Sequence, residues 1–306
     1  GVRPTVPLVS RFGMMPAKPA NDTLGPMTRT VRDAAILLEV LAGYDPNDPI
    51  TAYAIGQVPA SYTAFLDSEG LAGARIGVIR EPMDPDTDPT SDDYKKVRRV
   101  LDRAIDDLKA LGAYVVDPVV VPNLKTVNEI SAGNNFETEG AMNAYLAEHR
   151  NAPVKTVREI LLLGQVTPWR ASGLMNLVGR STEDIGYLRV LMAKETLRRN
   201  VLKVMADGQL DALVYATFDH QASVIASDAL TNAETEDAYA LGNNRDLSPF
   251  IAFPALTVPA GFTTEELPVG LEFLGRPFTE GKLFGLAYAY EQGTHRRRPP
   301  ATAPPL

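Results

Sequence analysis

A strand, helix, strand order between residues 75 and 121 is the feature that most constrains the fold. The apolar run at 75–79 predicts a buried strand, and the valine-rich stretch at 114–121 predicts another. Between them, Ser91 is suited to cap a helix, and apolar residues recur at helical spacing as far as Leu111. Because two strands joined by a helix favour parallel pairing with a right-handed crossover, this order predicts an α/β fold.

The remaining elements extend this pattern without marking a domain boundary. Residues 124–204 have a mainly helical pattern, and apolar runs at 210–216, 253–261 and 268–275 predict further strands. With 306 residues, of which 45% are hydrophobic, the chain is long enough to bury a large core as one domain or as two smaller ones. No repeat and no linker composition separates two parts, so we assign no internal boundary.

The segment at 9–43 consists of a series of turns followed by an amphipathic helix. Thr30 is suited to cap this helix, and Asp33 is placed to complete a capping box. Ahead of the cap, closely spaced glycines and prolines prevent regular structure. Residues 21–23, Asn-Asp-Thr, must therefore occupy a shaped turn, and polar side chains held in such a turn can point into a cleft.

Charge and composition argue against several classes of function. The net charge of −8 disfavours a nucleic-acid partner, and we expect the short run Arg296–Arg298 to be part of a solvated, proline-rich tail. The chain has no cysteine, so it has neither disulfides nor thiolate chemistry. No apolar run approaches the roughly 18 residues that a membrane helix needs, so we expect no membrane partner. No targeting pattern follows Gly1, which favours the cytoplasm, although a signal removed upstream would leave the same sequence.

Familiar catalytic motifs do not occur in the sequence. It contains no G-x-S-x-G, S-x-x-K, H-E-x-x-H, P-loop or dinucleotide-binding glycine pattern. The histidines are far apart and lack metal-ligand spacing. The pair of most interest is His220 with Asp219, since a carboxylate can orient an imidazole, although adjacent residues point in different directions. A hydrolase that uses Asp219, His220 and a serine of this chain is therefore kept as an alternative.

Three groups of residues are candidates for substrate binding. The first is a pair in the shaped turn, the second precedes a predicted strand, and the third lies at the opening turns of a helix and has an aromatic wall. Loops at strand ends commonly form clefts in α/β folds, but each group can also serve as turn, capping or packing residues. The groups are Asp22 and Thr23; Asn243, Asn244 and Phe250; and Asn134, Asn135, Phe136 and Glu137, with Trp169 as the wall.

Several segments together resemble the amidase-signature hydrolases. Each would be a weak match alone, but they fall in the family's order along almost the whole chain, which makes the resemblance specific. A further stretch, E-G-A-M-N-A-Y-L-A at 139–147, is similar to the peptide-amidase branch. The segments are S-R-F-G at 10–13, D-T-x-G-P at 22–26, R-T-V-R-D-A-A-x-L-L at 29–38, L-A-G-A-R-I-G-V-I-R-E at 71–81, L-D-A-L-V at 210–214, F-P-A-L-T-V-P-A-G-F at 253–262, P-V-G-L-E-F-L-G-R-P-F at 268–278 and L-A-Y-A-Y-E-Q at 286–292.

The resemblance implies a fold and the location of a site. The implied α/β fold is a mixed, largely parallel central sheet covered by helices on both faces, incomplete without its N-terminal part. In the family, catalysis is carried by a lysine and two serines that precede a G-[LV]-[RK]-P-T element, and this chain starts on that element at residues 1–5. Residues 1–306 are thus expected to be the C-terminal part of a single amidase domain and to contain no catalytic residue. The resemblance also places the D-T-x-G-P turn beside the amidase pocket.

The resemblance further implies that the whole enzyme hydrolyses a carboxamide, either a linear amide or a peptide amide, to an acid and ammonia or an amine. A serine would attack the carbonyl carbon and a second serine would relay its proton to a lysine kept neutral by burial, with no metal or cofactor. This chain would shape the pocket for a small-molecule or oligomeric amide. Its partner would be the N-terminal fragment of the same amidase, as in a processed chain that forms a heterodimer, and further homodimerisation stays open. The alternative is a non-catalytic, amidase-like binding or scaffold protein that folds alone.

Overall fold

The computed structural model describes residues 1–132, 134–232 and 241–300. These ranges contain both strands and helices, and none of the helices in them is long and apolar enough to span a bilayer. The strands are β1 (Val2–Arg3), β2 (Arg75–Ile79), β3 (Tyr114–Val119), β4 (Ala212–Ala216), β5 (Ala255–Phe262) and β6 (Pro268–Leu274). The helices are α1 (Val31–Leu41), α2 (Asp92–Ala110), α3 (Leu124–Ala132), α4 (Thr138–Glu148), α5 (Val157–Leu163), α6 (Pro168–Met175), α7 (Ile185–Asp207), α8 (Leu247–Ile251) and α9 (Glu280–Thr294).

The strands of the described ranges form one mixed sheet in the order β1-β5-β6-β4-β2-β3. As predicted, β2 and β3 pair in parallel, and β2 also pairs in parallel with β4. The other pairings, β1 with β5, β5 with β6 and β6 with β4, are antiparallel. The mixed sheet is therefore confirmed, but its parallel part is smaller than predicted. The connection at 263–267 explains part of this difference, since a parallel pair needs a crossover of about a dozen residues or more.

Helices cover both faces of the sheet, as predicted. On one face α1, α2 and α9 enclose an apolar core that includes Leu38, Leu101 and Phe284. On the other face α3, α7 and α8 enclose a second core that includes Leu197 and Phe250. Each face is thus closed by its own set of helices. The second face, under α7, also carries the polar side chains of the candidate site.

Local capping sets the start of the two helices that the sequence specified best. α1 begins after Thr30, whose hydroxyl accepts from the backbone N–H of Asp33 at 3.0 Å. α2 begins after Ser91, whose hydroxyl accepts from the backbone N–H of Tyr94 at 3.2 Å. Each cap satisfies a backbone donor that the first helical turn leaves free. The residue at which each of these helices starts is therefore set by a neighbouring residue.

Candidate functional site

The turn at 17–24 is the element around which the candidate site is built. Asp22 closes this turn, because its Oδ2 accepts from two backbone N–H groups of the turn at 2.8 and 2.9 Å. Gly25 then brings the chain against β1, where a Cβ at position 25 would lie 2.0 Å from the carbonyl oxygen of Val2. The D-T-x-G-P sequence thus supplies both the residue that closes the turn and the residue that permits its close contact with the sheet.

Cationic side chains hold this turn from two other elements. Arg3 lies on the sheet face covered by α7, because it stands opposite Ala255, which belongs to that face's core. The Nη2 of Arg3 donates to the carbonyl oxygen of Asn21. Lys194 reaches the turn from α7, where Nζ donates to the carbonyl oxygen of Ala20 at 2.6 Å and to Oδ1 of Asn21 at 3.1 Å. The turn is therefore attached to both β1 and α7.

Glu137 attaches the same turn to the start of α4. Its Oε2 accepts from the backbone N–H of Ala20 at 3.3 Å and lies 3.5 Å from Nδ2 of Asn134. Its Oε1 accepts from the hydroxyl of Tyr187 at 2.6 Å. The predicted turn group and the predicted group at 134–137 thus lie together. The side chains that join them, here called the polar cluster, are Arg3, Asn21, Glu137, Tyr187 and Lys194.

Burial shifts the pKa values of three side chains of the polar cluster. Burial, with a further contribution from the charge of Arg198, lowers the pKa of Lys194 to about 8, although Glu137 opposes the shift. Burial also lowers the pKa of Arg3 to about 10. Burial and the hydrogen bond to Glu137 raise the pKa of Tyr187. Perturbed pKa values in one place are typical of functional sites, where charged groups are kept partly out of water.

Several buried polar atoms beside the polar cluster have no hydrogen-bond partner among the described residues. They are Nε of Arg3, Oγ1 of Thr23 and Oδ1 of Asn134. Leaving such an atom without any partner costs about 1 to 3 kcal/mol, so buried polar atoms usually meet water or a ligand. The three atoms are one nitrogen donor and two oxygens that can accept a hydrogen bond.

A second polar group lies on the same face, at the centre of the sheet. Glu272 of β6 is buried between Tyr215 of β4 and Thr257 of β5, whose hydroxyls donate to it at 3.0 and 3.2 Å. Burial raises the pKa of Glu272 to about 7 despite these hydrogen bonds. Thr257 Oγ1 also lies 2.9 Å from Oγ1 of Thr217. Both threonines line a cleft of about 380 Å³ beside Gly1 and α1.

The predicted group at 243–250 makes different contacts. Asn244 is buried and joins two loops, since its Oδ1 accepts from the backbone of Met83 at 3.0 Å and its Nδ2 donates to the carbonyl of Ala216 at 2.9 Å. Asn243 accepts from a backbone N–H two residues on, at 3.1 Å. Phe250 is packed in the core under α7. These contacts hold loops and core together, and none of them reaches the polar cluster.

The two predicted aromatic residues lie in different surroundings. Phe136 is buried, and its ring centre lies 6.1 Å from that of Tyr187, so it packs directly beside the polar cluster. Trp169 lies in α6 and is 39% exposed. Asn135 is half-buried. The described contacts make Phe136 the aromatic neighbour of the cluster, and a role for Trp169 stays a prediction.

Asp219 and His220 do not form a catalytic pair. The carboxylate of Asp219 lies 2.8 Å from Nη2 of Arg98, and burial raises its pKa to about 6. His220 turns to other partners, with Nε2 at 2.9 Å from Oδ2 of Asp93 and Nδ1 at 2.7 Å from the carbonyl oxygen of Gln221. The alternative hydrolase centred on Asp219 and His220 therefore lacks the geometry it requires.

Metal ligands are not grouped in the part of the chain that the structure describes. Within it, no three His, Cys, Asp or Glu side chains are arranged to hold a metal ion.

The arginine run at 296–298 is largely exposed, as expected of a solvated segment, but two of its side chains form ion pairs. Arg296 forms a bidentate ion pair with Asp107 of α2, at 2.6 and 2.8 Å, and Arg298 pairs with Glu266. The sequence did not indicate these ion pairs because both carboxylates are distant in sequence from the run. Residues 301–306, which end the predicted tail, lie outside the described residues.

Arg3, Lys194 and Glu272 were not predicted as site residues, although the sequence patterns around Lys194 and Glu272 mark both as unusual. Lys194 falls on the buried stripe of α7, four residues after Val190 and three before Leu197. Glu272 lies in a strand with apolar residues on both sides, a pattern typical of a strand buried on both faces. Because a charged residue is rarely buried without a partner or a function, both positions could have been singled out.

Comparison with known proteins identifies the family. Residues 1–284 match the Amidase family, and the chain therefore belongs to it. A probable amidase of Arabidopsis thaliana is 30% identical over 98% of this chain and 54% of its own length. A subunit of the glutamyl-tRNA(Gln) amidotransferase from Myxococcus xanthus is 32% identical over 95% of this chain and 59% of its own length. The solved structure of native peptide amidase from Stenotrophomonas maltophilia is 32% identical, with a TM-score of 0.77 over 98% of this chain and 59% of that one.

These comparisons confirm the resemblance at the level of family and fold. The α/β architecture with its mixed sheet matches the amidase structures. The chain spans between 54% and 59% of the length of the relatives described above. Membership of the Amidase family also removes the alternative of an unrelated hydrolase.

Proposed function

We propose that this chain forms the pocket wall of a serine amidohydrolase, which converts a carboxamide into a carboxylic acid and ammonia or an amine. The observation that carries the proposal is the position of the D-T-x-G-P turn, which Arg3, Glu137 and Lys194 hold within a buried polar cluster. Membership of the Amidase family supports the reaction class. The likeness to a peptide amidase favours a linear amide or a peptide amide as the substrate.

The catalytic lysine and serines are proposed to come from a segment outside these 306 residues. The relatives are longer than this chain, and the described hydrogen bonds of Lys194 go to Ala20 and Asn21 and not to a serine. In the proposed reaction, a serine oxygen attacks the amide carbon and passes its proton through a second serine to a neutral lysine. The C–N bond breaks as the leaving nitrogen takes up that proton, and water then cleaves the acyl-serine ester to release the acid.

The N-terminal fragment of the same amidase is the proposed partner, bound along the open edge of β5. β5 pairs with β6 over its whole length, whereas on the other edge, in the described residues, β1 pairs with Ala255 and Leu256 and the backbone of Gly1 bonds to Thr257. Residues 258–262 line clefts together with residues 28–30 and 294–298. An exposed strand edge can accept an extended segment through main-chain hydrogen bonds. An interface that completes a fold in this way would be obligate and would exceed about 2,000 Å².

The substitution Thr23→Val tests whether the turn contacts substrate. The hydroxyl of Thr23 is buried and has no hydrogen-bond partner among the described residues, so valine keeps the shape and removes only the hydroxyl. In the enzyme prepared with all its segments, we expect kcat/KM for ammonia release from an amidated dipeptide to fall about 10- to 100-fold, the effect of losing one hydrogen bond to substrate. The melting temperature should not fall.

Thr87→Val is the matched control, because Thr87 also has a buried hydroxyl without a described partner but lies in the loop after β2. An unchanged kcat/KM in the Thr23 variant, or an equal loss in both variants, would contradict a substrate contact by the turn. Failure of the unaltered enzyme to release ammonia from any carboxamide would contradict the proposed function itself and favour the non-catalytic alternative.

A further inference from the structure

Three successive carbonyl groups of the turn are each bound by a different cation. Arg11, Lys194 and Arg3 donate, in this order, to the carbonyl oxygens of residues 19, 20 and 21, at 2.7 Å for Arg11 and 2.6 Å for Lys194. The three cations come from separate parts of the chain: the loop after β1, helix α7 and β1 itself. Carbonyls that would bond within a helix or sheet are here bound by side chains, so the shape of the turn depends on distant residues.

Ala20 is bound through both of its backbone groups. Its carbonyl accepts from Lys194 of α7, and its N–H donates at 3.3 Å to Glu137 at the start of α4. Lys194 and Glu137 lie 174 and 117 residues from Ala20 in the sequence. Both helices therefore fix the same residue of the turn, two positions before Asp22.

We propose that Lys194 is a positioning residue which, together with Glu137, fixes the turn at 17–24 and thereby holds the hydroxyl of Thr23 in the pocket. This inference rests on the proposed function, in which the turn contacts the substrate. Besides the turn, Arg11 also binds a second group, the carboxylate of Asp48, to which two of its nitrogens donate at 2.9 and 2.8 Å. Lys194 is the cation that joins the turn to the helix covering this face of the sheet.

The charges around Lys194 make its attachment sensitive to pH. The groups that face it are Arg198 of its own helix, Glu137 of α4 and Arg3 of β1, and burial has the largest effect, lowering its pKa to about 8. Below pH 8 the ammonium makes charge-assisted hydrogen bonds, whereas the neutral amine above pH 8 makes weaker ones. Arg3, with a pKa of about 10, and Arg11, whose pKa is raised by Asp48, keep their charge longer as the pH rises.

Hydrogen exchange of the backbone amides at 17–24 tests the proposal. The unaltered protein is compared with Lys194→Met and Lys194→Arg by mass spectrometry at pH 7, after correction for the intrinsic exchange rate. We expect exchange in Lys194→Met to be about 10- to 100-fold faster, the equivalent of one lost charge-assisted hydrogen bond, and Lys194→Arg to stay close to the unaltered protein. Between pH 7 and 9.5 the corrected exchange should rise in the unaltered protein and not in Lys194→Arg.

Two further variants make the test specific. Lys203→Met removes an exposed lysine of the same helix, which pairs with Asp207, and should leave exchange at 17–24 unchanged. Glu137→Gln removes a negative charge that raises the pKa of Lys194, so the rise in exchange should begin at a lower pH. If Lys194→Met does not fold, the pH dependence in Lys194→Arg and Glu137→Gln decides the question.

Equal exchange in Lys194→Met and the unaltered protein would overturn the proposal. A rise with pH in Lys194→Arg that matches the unaltered protein would overturn it too. Exchange needs no turnover, so this result stands whether or not the enzyme hydrolyses amides. If amides are hydrolysed, Lys194→Met should raise KM and lower kcat, and faster exchange with both constants unchanged would overturn the link between the turn and substrate.

Discussion

Glu272 shows how a strand buried on both faces changes the chemistry of a carboxyl group. The residue stands in β6 opposite Tyr215 and Thr257, and both neighbouring hydroxyls donate to it. These hydrogen bonds favour the charged form, but burial favours the neutral form more strongly, and the pKa rises from 4.5 to about 7. Near neutral pH, Glu272 therefore changes between an acceptor and a donor toward the threonines that line the cleft.

Because of this shift in the pKa of Glu272, the free energy of unfolding of the protein should depend on pH. Because the folded state holds the proton of Glu272 more tightly than the unfolded state, the stabilisation is fully present below pH 4.5 and is lost as the pH rises through about 7. Glu272→Gln removes this dependence. Relative to the unaltered protein, the variant should gain on the order of 2 to 3 kcal/mol in free energy of unfolding between pH 4.5 and pH 8, measured by urea denaturation.

Glu183→Gln, at an exposed glutamate, is the control and should follow the pH dependence of the unaltered protein. A constant difference between Glu272→Gln and the unaltered protein across this pH range would show that Glu272 is not titrating in the folded state.

Individual site residues could be predicted from sequence only where a local rule applied to them. Asp22 was predicted because it lies in a shaped turn that the resemblance places beside the pocket, and Glu137 because it stands at the start of a helix. In the structure, both side chains form hydrogen bonds with the backbone of the turn at 17–24. Lys194 was missed because its partners lie 174 and 173 residues away. No rule of spacing predicts which loop a buried lysine will meet.

Among the elements, the D-T-x-G-P turn depends on the close contact between Gly25 and β1. A Cβ at this position would lie 2.0 Å from the carbonyl oxygen of Val2 and 2.9 Å from Cδ of Pro4. Both atoms belong to rigid parts of the chain, so neither can move aside as a flexible side chain would. The chain after the turn at 17–24 can lie this close to β1 because position 25 has no side chain.

Gly25→Ala should therefore displace the turn and lower the free energy of unfolding by about 1 to 3 kcal/mol, the usual cost of overpacking a filled site. Gly140→Ala is the matched control, because a Cβ there meets nothing within 4 Å and the residue lies inside α4. That substitution should stabilise the protein by about 0.5 to 1 kcal/mol. Equal effects of the two substitutions in urea denaturation would contradict the contact.

The sequence predicted secondary structure best where a capping residue marks the start of a helix. Thr30 and Ser91 cap α1 and α2 as predicted. The parallel share of the sheet was overestimated because strand direction depends on the connections, and β5 and β6 are joined by a turn at 263–267. The ion pairs that fix Arg296 and Arg298 were missed for the same reason as Lys194, since their partners are distant in sequence.

At the scale of the whole molecule, the polar groups of the candidate site share one face of the sheet, and part of the β5 edge has no described partner strand. Arg3 and Glu272 share the face under α7, and the edge of β5 beyond Thr257 has no described partner strand. In the proposed enzyme, the face supplies the pocket wall and the edge receives the segment with the reactive lysine and serines. In this proposal, Lys194 has a structural role, which agrees with its described hydrogen bonds to Ala20 and Asn21 of the turn.

The most direct test of this account is the site at which a fluorophosphonate, a reagent that labels activated serines, becomes attached in a preparation that releases ammonia from a carboxamide. Mass spectrometry of the labelled peptide identifies the serine. The account predicts a labelled serine in a segment outside residues 1–306, and neither labelling nor ammonia release by the 306-residue chain alone. A labelled serine within these residues, in a chain that hydrolyses amides by itself, would contradict it.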